Sequence, residues 1–462
     1  MDLIIRNGWI VTAHDEFAGD VGIADGKIVS IGHVRDERAR VLDAAGKLVL
    51  PGVIDMHTHI DHWGGSAKTD DDFFSGTRAA AFGGVTTVID FAIQRPGETA
   101  EAALRRRRSE ADGKVCIDYS LHAHVTGADE ATLRGIPDII LDGAASFKMF
   151  TTYKKAGFKI EDHDCLTLMK RIHEHGGLVM IHAENDSMCE SLTEMLVAAD
   201  VAVPALYPDS RPDVAEAECI ARMILFAEYT GATIYIVHVS TRKGAELIRR
   251  AQKSGLNVIA ETCPHYLLLH RDRYLEADGY KYIMAPPLRD EEDSEALWES
   301  IRDGVLSVVS SDHCDYRLDK KMAGQRNFTQ VSPGIHGTEW LLPLMYHYGV
   351  NAGRITRQQL VKLLSHHPAQ IFGLSGKGNI AVGKDADLVI LDPTARHTIT
   401  DDNHHMQADF SPYRGFELRG YPETVISRGQ VIVQNGQFLG APGHGRFVRR
   451  SIRPEEIMAV RA

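Results

Sequence analysis

The chain has 462 residues, with 63 acidic residues against 51 lysines and arginines and a formal net charge of −12. That length fits one large α/β barrel with an appended domain, or two or three separate domains, and the acidic balance argues against a nucleic-acid-binding protein. Six scattered cysteines and the lack of a signal peptide or of roughly 18 uninterrupted apolar residues predict a cytoplasmic protein with no disulfide framework and no membrane span.

Residues 1–50 are predicted to form short strands joined by turns. Asp25-Gly26 lies between two apolar runs, a strong hairpin signal. The same pattern returns at 383–393 and 424–440. We therefore expect a β-sandwich domain built from both termini, residues 1–50 with 375–462.

Apolar runs alternate with helix-like stretches between these two segments. The predicted strands are 48–57, 85–91, 116–122, 145–150, 178–184, 234–239, 257–262 and 306–312. Eight strands alternating with helices predict an α/β fold, a (β/α)8 TIM-like barrel over residues 51–374. The basic run at 105–108 lies in a helix-like stretch flanked by acids and is predicted to be a solvated helix face.

The first predicted barrel strand ends in His57 and His59. Residues i and i+2 of a strand point to the same face, so both imidazoles can reach one metal ion. An isolated His-x-His pair is equally compatible with two satisfied surface or core histidines. The rest of the chain has to decide between these interpretations.

Further polar residues lie on later predicted strands, where barrel enzymes place their active sites. They are Lys148, His182, His238 and Asp312. Four histidines and one aspartate are too many for a single catalytic zinc and suit two divalent ions. Such a pair needs a bridging anion, which Lys148 could supply as a carbamate formed with CO2. The alternative is a lysine paired with a nearby acid.

The chain resembles the cyclic amidohydrolases of the dihydropyrimidinase and D-hydantoinase family, within the amidohydrolase superfamily. The resemblance covers nearly the whole length. It rests on PGVIDMHTHID, SFKMFTTY, MIHAEN, IYIVHVS, ETCPHYLLL, APPLR, SSDHC, GNIAVGKDADLVILD and GRFVRR, all in order and spacing. It implies hydrolytic ring opening of a small cyclic amide or imide, a 5-substituted hydantoin or a dihydropyrimidine, to an N-carbamoyl amino acid.

The resemblance also implies roles for the site residues. His57, His59 and Asp312 would bind one metal, His182 and His238 the other, and carboxylated Lys148 would bridge them. The metals would be zinc or manganese, and the enzyme a homotetramer. Asp312 would move the proton, and Tyr153 would bind substrate and donate to the oxyanion, unless it is an ordinary loop aromatic. His313 and Cys314 are expected to support the site rather than bind metal.

Two positions depart from the family pattern in the predicted substrate-binding loops. Ala285 replaces the serine of SPPLR, so a contact there must come from the backbone. Pro333 replaces an asparagine, and proline has no N–H to donate. These two departures leave the identity of the substrate ring undecided.

The rival activities are those of allantoinase and dihydroorotase, and a different class is the non-catalytic assembly proteins related to dihydropyrimidinase. The dihydroorotase pattern has an arginine where this chain has Asp61, which would repel a substrate carboxylate and favours an uncharged ring. The full set of metal ligands argues against an assembly protein. His62, Trp63 and Phe158 could line an aromatic-tolerant pocket or pack within loops.

Overall fold

A computed structural model describes residues 1–64, 67–95 and 97–460. The chain begins with five strands that range from fully buried to mostly exposed. They are β1 (Leu3–Val11), β2 (Glu16–Ala24), β3 (Lys27–Gly32), β4 (Arg40–Asp43) and β5 (Leu48–Pro51).

Eight parallel strands follow and form the barrel, which confirms the predicted fold class. Their side chains are buried on both faces, as expected of a sheet enclosed by helices. The barrel strands are β6 (Val53–Thr58), β9 (Val85–Ala92), β10 (Asp118–His124), β11 (Ser146–Phe150), β12 (Leu178–His182), β13 (Ile234–Ile236), β14 (Val258–Thr262) and β15 (Val308–Val309). A small hairpin of β7 (Trp63–Gly64) and β8 (Ala67–Lys68) follows β6.

In the described part of the chain, ten α-helices lie between successive barrel strands and five short ones follow the last strand. They are α1 (Phe73–Phe82), α2 (Ala100–Ala111), α3 (Glu130–Leu141), α4 (Asp162–Glu174), α5 (Asp186–Ala198), α6 (Tyr207–Ser210), α7 (Asp213–Thr230), α8 (Arg242–Lys253), α9 (Pro264–Leu268), α10 (Glu291–Arg302), α11 (Leu318–Met322), α12 (Leu341–Leu344), α13 (Arg357–Val361), α14 (His367–Ile371) and α15 (Pro454–Ala459). Within the described part of the chain, no helix has the length and apolar character needed to cross a membrane.

The C-terminal strands return to the strands at the start of the chain. They are β16 (Leu388–Thr398), β17 (Glu417–Ser427), β18 (Gln430–Gln434) and β19 (Gln437–Phe438). One sheet results, in the order β19-β18-β17-β16-β5-β1-β2-β3, with β4 also paired to β1. Both ends of the chain therefore build one sheet beside the barrel.

The predicted strand 48–57 is wrong as a single element, because it divides at Gly52. Residues Leu48–Pro51 pair with β16 in the terminal sheet, whereas Val53–Thr58 pair with β9 in the barrel. A Cβ atom on Gly52 would lie 2.0 Å from Oγ1 of Thr86. The absence of a side chain therefore lets the chain pass between the two sheets.

The last barrel strand is also shorter than predicted, with only two residues in place of 306–312. The barrel closes beyond it, where the His59 N–H donates to the carbonyl of His313 at 2.7 Å. Asp312 lies at this closing seam with a φ of 47°. The chain leaves regular strand geometry where the functional side chains begin.

The basic run 105–108 is not simply a solvated face. Arg107 is 3 % exposed and binds Asp90 at 2.6 Å. Its guanidinium also lies 4.4 Å from the ring centroid of Phe73. This arginine is buried because a carboxylate of the barrel compensates its charge.

Candidate active site

The first group consists of His57 and His59, at the end of the first barrel strand, and Asp312, which follows the last one. Nε2 of His57 and Nε2 of His59 lie 3.1 and 3.2 Å from the same oxygen, Oδ1 of Asp312. One donor atom from each residue lies within 4.8 Å of the others. Two imidazoles and a carboxylate at this spacing are a donor set that suits zinc or a similar divalent ion.

A second pair of histidines lies beside the first group. His182 is the last residue of β12, and its ring centroid is 4.6 Å from that of His238. The His238 ring is in turn 5.5 Å from the ring of His57. Lys148, on β11, is 1 % exposed and lines the same cavity of about 140 Å³. The structure therefore brings together all six residues that the sequence proposes as metal ligands.

Hydrogen bonds to carboxylates fix the orientation of two of these histidines. Nδ1 of His57 lies 2.5 Å from Oε1 of Glu261, and Nε2 of His182 lies 2.7 Å from Oε2 of Glu184. A ring nitrogen that donates to a carboxylate leaves the other nitrogen free to bind a metal. Nε2 of His57 is buried and, although Oδ1 of Asp312 lies 3.1 Å away, it makes no hydrogen bond with any described residue. This orphaned atom is what a metal ligand without its ion should show, so a divalent ion fits the site.

Burial also favours the protonation states that metal binding needs. It lowers the pKa of His59 and His182, and it lowers the pKa of His238 well below the usual value. Neutral imidazole is the form that binds a metal. Burial opposes the charge of Asp312, but the nearby histidines outweigh it and hold the pKa of that carboxyl well below its usual range.

Tyr153 lines the cavity and has a left-handed backbone conformation, with a φ of 67°. Such a conformation is uncommon for a bulky residue and clusters at functional sites. The guanidinium of Arg211 lies 5.2 Å from the centroid of its ring and is itself bound to Glu184 at 2.7 Å. Burial raises the pKa of the Tyr153 hydroxyl well above its usual value, so it stays protonated and can donate a hydrogen bond.

Two loops complete the cavity. Ala285 and Pro333 both line it, next to Met284 and Gly334. The N–H of Gly334 already donates to the carbonyl of Ile283 at 3.0 Å. Pro333 has no N–H, so its peptide group can offer only a carbonyl oxygen.

The sequence assigned no single role to His62, Trp63 and Phe158, and these residues line two adjoining chambers. His62 and Phe158 line the cavity that contains the histidines. Trp63 is 62 % exposed and lines an adjoining chamber that shares His62 and Phe158. Asp61 also lies in that adjoining chamber, where it pairs with Lys68.

His313 belongs to a separate buried group with Asp71 and Asp315. Its Nδ1 accepts a hydrogen bond from the N–H of Gly337 at 3.3 Å. The proton of the neutral ring is therefore on Nε2, which points towards Asp71 at 3.3 Å. Burial opposes a charge on His313, but Asp71 and Asp315 outweigh it and raise the pKa of the ring. A ring that favours its protonated form is suited to an ion pair with these carboxylates rather than to a metal, which binds neutral imidazole.

Three residues of the site were missed by sequence reasoning. Glu261 is fully buried and holds His57, the backbone N–H of His238 and the hydroxyl of Ser310. The available signal was a glutamate inside the otherwise apolar strand β14. Glu184 and Arg211 gave a weaker signal, since a charged residue after a strand or in a loop is common.

A (β/α)8 barrel with clustered histidines and an aspartate at the carboxyl ends of its strands defines the class of metal-dependent barrel hydrolases. Residues 48–432 match the Amidohydrolase family. The chain is 40 % identical to the D-hydantoinase of Geobacillus stearothermophilus over 98 % of this chain and 97 % of that protein. It is 39 % identical to the D-phenylhydantoinase of Escherichia coli (strain K12), over 97 % and 98 % of the two chains.

A solved structure gives the same result. The dihydropyrimidinase from Brevibacillus agri NCHU1002 superposes with a TM-score of 0.97 at 38 % identity, covering 98 % of this chain and 100 % of that one. The chain therefore belongs to the Amidohydrolase family, and the resemblance inferred from its motifs is confirmed.

Proposed function

We propose that the protein hydrolyses one C–N bond of a small cyclic amide or imide, a 5-substituted hydantoin or a 5,6-dihydropyrimidine. Water adds to the ring carbonyl, the ring C–N bond breaks, and an N-carbamoyl amino acid leaves. The observation that carries this proposal is the convergence of four histidines, Lys148 and Asp312 on one cavity. The names of the full-length relatives support it.

Two divalent ions held by these side chains would supply a hydroxide at neutral pH and polarise the ring carbonyl. Asp312 would move the proton, and the position of its carboxylate in the cavity between two histidines supports this role. It would accept the proton of the attacking water and deliver it to the ring nitrogen that leaves.

Tyr153 and the two loops would orient the ring. The protonated Tyr153 hydroxyl would donate to the carbonyl oxygen as negative charge develops there. The peptide groups at Ala285 and Pro333 would bind the polar edge of the ring, with the Pro333 carbonyl accepting from a ring N–H. The N–H of Gly334 already donates to Ile283, so this side of the cavity offers a carbonyl acceptor rather than an N–H donor. It is therefore best matched to a ring that donates an N–H hydrogen bond.

An uncharged ring is preferred over dihydroorotate. Among the described residues that line the cavity, no arginine is present to hold a substrate carboxylate. The sequence-based argument from Asp61 carries less weight, since Asp61 lies in the adjoining chamber and is paired with Lys68. The preference therefore rests on the lining of the cavity.

We further propose zinc, or alternatively manganese, as the metal and a carboxylated Lys148 as the bridge between two ions. The position and burial of Lys148 among the histidines support the carbamate, because a fixed ammonium would repel both ions. The homotetramer, the cytoplasmic location and the division at residues 50 and 375 stay predictions.

Hydrolysis should be measured on a panel of rings with zinc- or manganese-loaded protein. The panel is dihydrouracil, hydantoin, 5-phenylhydantoin, allantoin and dihydroorotate. We expect turnover of the first three only, and loss of it after chelation of the metal. Asp312→Asn, which keeps the shape and removes the charge, is the matched inactive control.

Two other outcomes would contradict the proposed function. Turnover confined to allantoin or dihydroorotate would replace the proposed substrate. Metal analysis showing no bound divalent ion, together with no turnover, would favour the non-catalytic assembly proteins related to dihydropyrimidinase.

A further inference from the structure

The two loops that line the cavity at Ala285 and Pro333 belong to no strand of the barrel. One backbone hydrogen bond, from Gly334 to Ile283, joins them directly. Gly334 also packs against the segment that follows Asp312, because a Cβ atom there would lie 2.7 Å from the carbonyl oxygen of Cys314. The spacing between this wall and the metal residues therefore depends on how the two loops are held.

Lys321 lies on the short helix α11, and its side chain contacts both loops. Its side chain is 1 % exposed, and its Nζ donates to the carbonyls of Ile283 at 2.8 Å, Ser332 at 3.3 Å and Gly334 at 2.5 Å. An ammonium group has three N–H donors, so these three carbonyls use all of them. Ile283 and Ser332 immediately precede the lining residues Met284 and Pro333, and Gly334 itself lines the cavity.

The surroundings of this lysine are unusual for a buried charge. Within the described part of the chain, no carboxylate pairs with its Nζ, and the ring of Tyr316 lies 5.3 Å away. Burial lowers the pKa of Lys321 to about 7. A buried ammonium normally requires a compensating carboxylate; here the three peptide carbonyls and the ring of Tyr316 hold the charge instead.

We infer that Lys321 is a positioning residue for substrate binding, whose ammonium group draws three peptide carbonyls together and thereby sets where the substrate-binding peptide groups of both loops lie. The inference rests on the ring-opening function proposed above. Lys321 acts through the loops, since the hydrogen bonds of its Nζ go to their carbonyls. A displacement of the wall by about 1 Å would stretch its hydrogen bonds to the ring beyond the usual range of about 2.7–3.2 Å and so weaken substrate binding.

The test is the separate measurement of KM and kcat in Lys321→Met, which keeps the alkyl chain and removes every donor. We expect KM for hydantoin and dihydrouracil to rise about tenfold or more, the size expected for loss of charged hydrogen bonds. The metal content should equal that of the wild type, and kcat at saturation should stay within about threefold. Lys321→Arg keeps the charge and several donors and should give an intermediate KM.

The control is Ile248→Ala on α8, a fully buried residue on the outer face of the barrel. This variant should lose thermal stability without a change in KM. A KM within twofold of the wild type in folded, metal-loaded Lys321→Met would overturn the inference, as would an equal rise in KM in the control. Should Lys321→Met not fold, Lys321→Gln, whose side chain is shorter and uncharged, takes its place, and a KM within twofold of the wild type in that variant would overturn the inference equally.

The failure of the two proposals can be told apart. Wild-type protein that opens no ring on the panel removes the proposed function. Wild-type protein that turns over normally, with an unchanged KM in the variants, removes only the role of Lys321.

Discussion

The chemical role of Lys148 depends on the residues that surround its side chain. It lies among His57, His182 and His238 in one cavity, and burial lowers the pKa of its ammonium to about 8. An ammonium in that position would oppose the binding of cations. A carbamate, formed when its amine adds to CO2, would carry a negative charge and two oxygen ligands instead.

Lys148→Ala is expected to lose bound metal and hydrolytic activity together, because the bridging anion disappears. Elemental analysis of the purified variant, expressed as ions per chain beside the wild type, measures the first effect. A matched variant is Lys170→Ala on α4, whose side chain is exposed and should leave both unchanged. Full metal occupancy with normal turnover in Lys148→Ala would contradict the carbamate.

Tyr153→Phe is expected to lower kcat by roughly 10–1000-fold, the range for loss of one oxyanion donor. Only the hydroxyl is removed, so the ring contact with Arg211 should persist. Steady-state kinetics with metal-loaded protein measure the effect. An unchanged kcat would return Tyr153 to the role of a loop aromatic.

At the level of the elements, Gly52 marks the passage from the terminal sheet to the barrel. The strand pattern on both sides of it is equally apolar, so hydrophobicity alone predicts one continuous strand. Only the close approach of Thr86 shows why the chain must divide there. This is packing information that a single sequence does not contain.

Gly52→Ala is expected to destabilise the protein by about 1–3 kcal/mol, as overpacking of a buried site does. Its Cβ would lie 2.9 Å from the Cβ of Thr86, which rotation of the threonine cannot relieve. Urea unfolding measures the change. Gly127→Ala is the control, because its nearest neighbour would be 3.7 Å away, and an equal loss of stability there would contradict the explanation.

The sequence predicted the barrel and brought its six metal-ligand candidates to one point, because strand ends and residue types are visible in the chain. His238 and Asp312 lie after the regular strands, with φ values of 38° and 47°. Such left-handed turns are set by tertiary contacts, so the predicted strands were too long there. Glu261 was missed for the same reason, since its role exists only once the barrel has formed and its carboxylate reaches His57 of β6 and the backbone N–H of His238.

At the level of the whole molecule, a buried ion cluster joins the terminal sheet to the barrel. Nζ of Lys377 lies 2.5 Å from Asp118 on β10, 2.6 Å from Asp387 and 3.0 Å from Asp385. Three carboxylates this close could hold a metal, but the lysine already occupies the centre. The cluster is therefore a structural connection between the two parts.

Lys377→Met is expected to cost about 3–5 kcal/mol, the penalty for leaving buried charges unpaired. The loss should appear in the free energy of unfolding, whereas KM of the folded fraction should stay at the wild-type value. Asp385→Asn, at the more exposed edge of the cluster, should cost less. Equal stability of Lys377→Met and wild type would mean that the carboxylates find other partners.

The pairing of β5 with β16 has a consequence for synthesis of the protein on the ribosome. Pro51 pairs with Leu388, so the first half of the terminal sheet leaves the ribosome long before its partner strand exists. At typical translation rates the intervening chain takes roughly 20–70 s to make. During that interval the edge of β5 that will pair with β16 has no partner strand, and an unpaired strand edge is prone to associate with other chains. The pairing of β5 with β16 therefore comes late in synthesis, after the residues that close the barrel at His59 and His313 have been made, and its larger sequence separation makes it the slower contact to form.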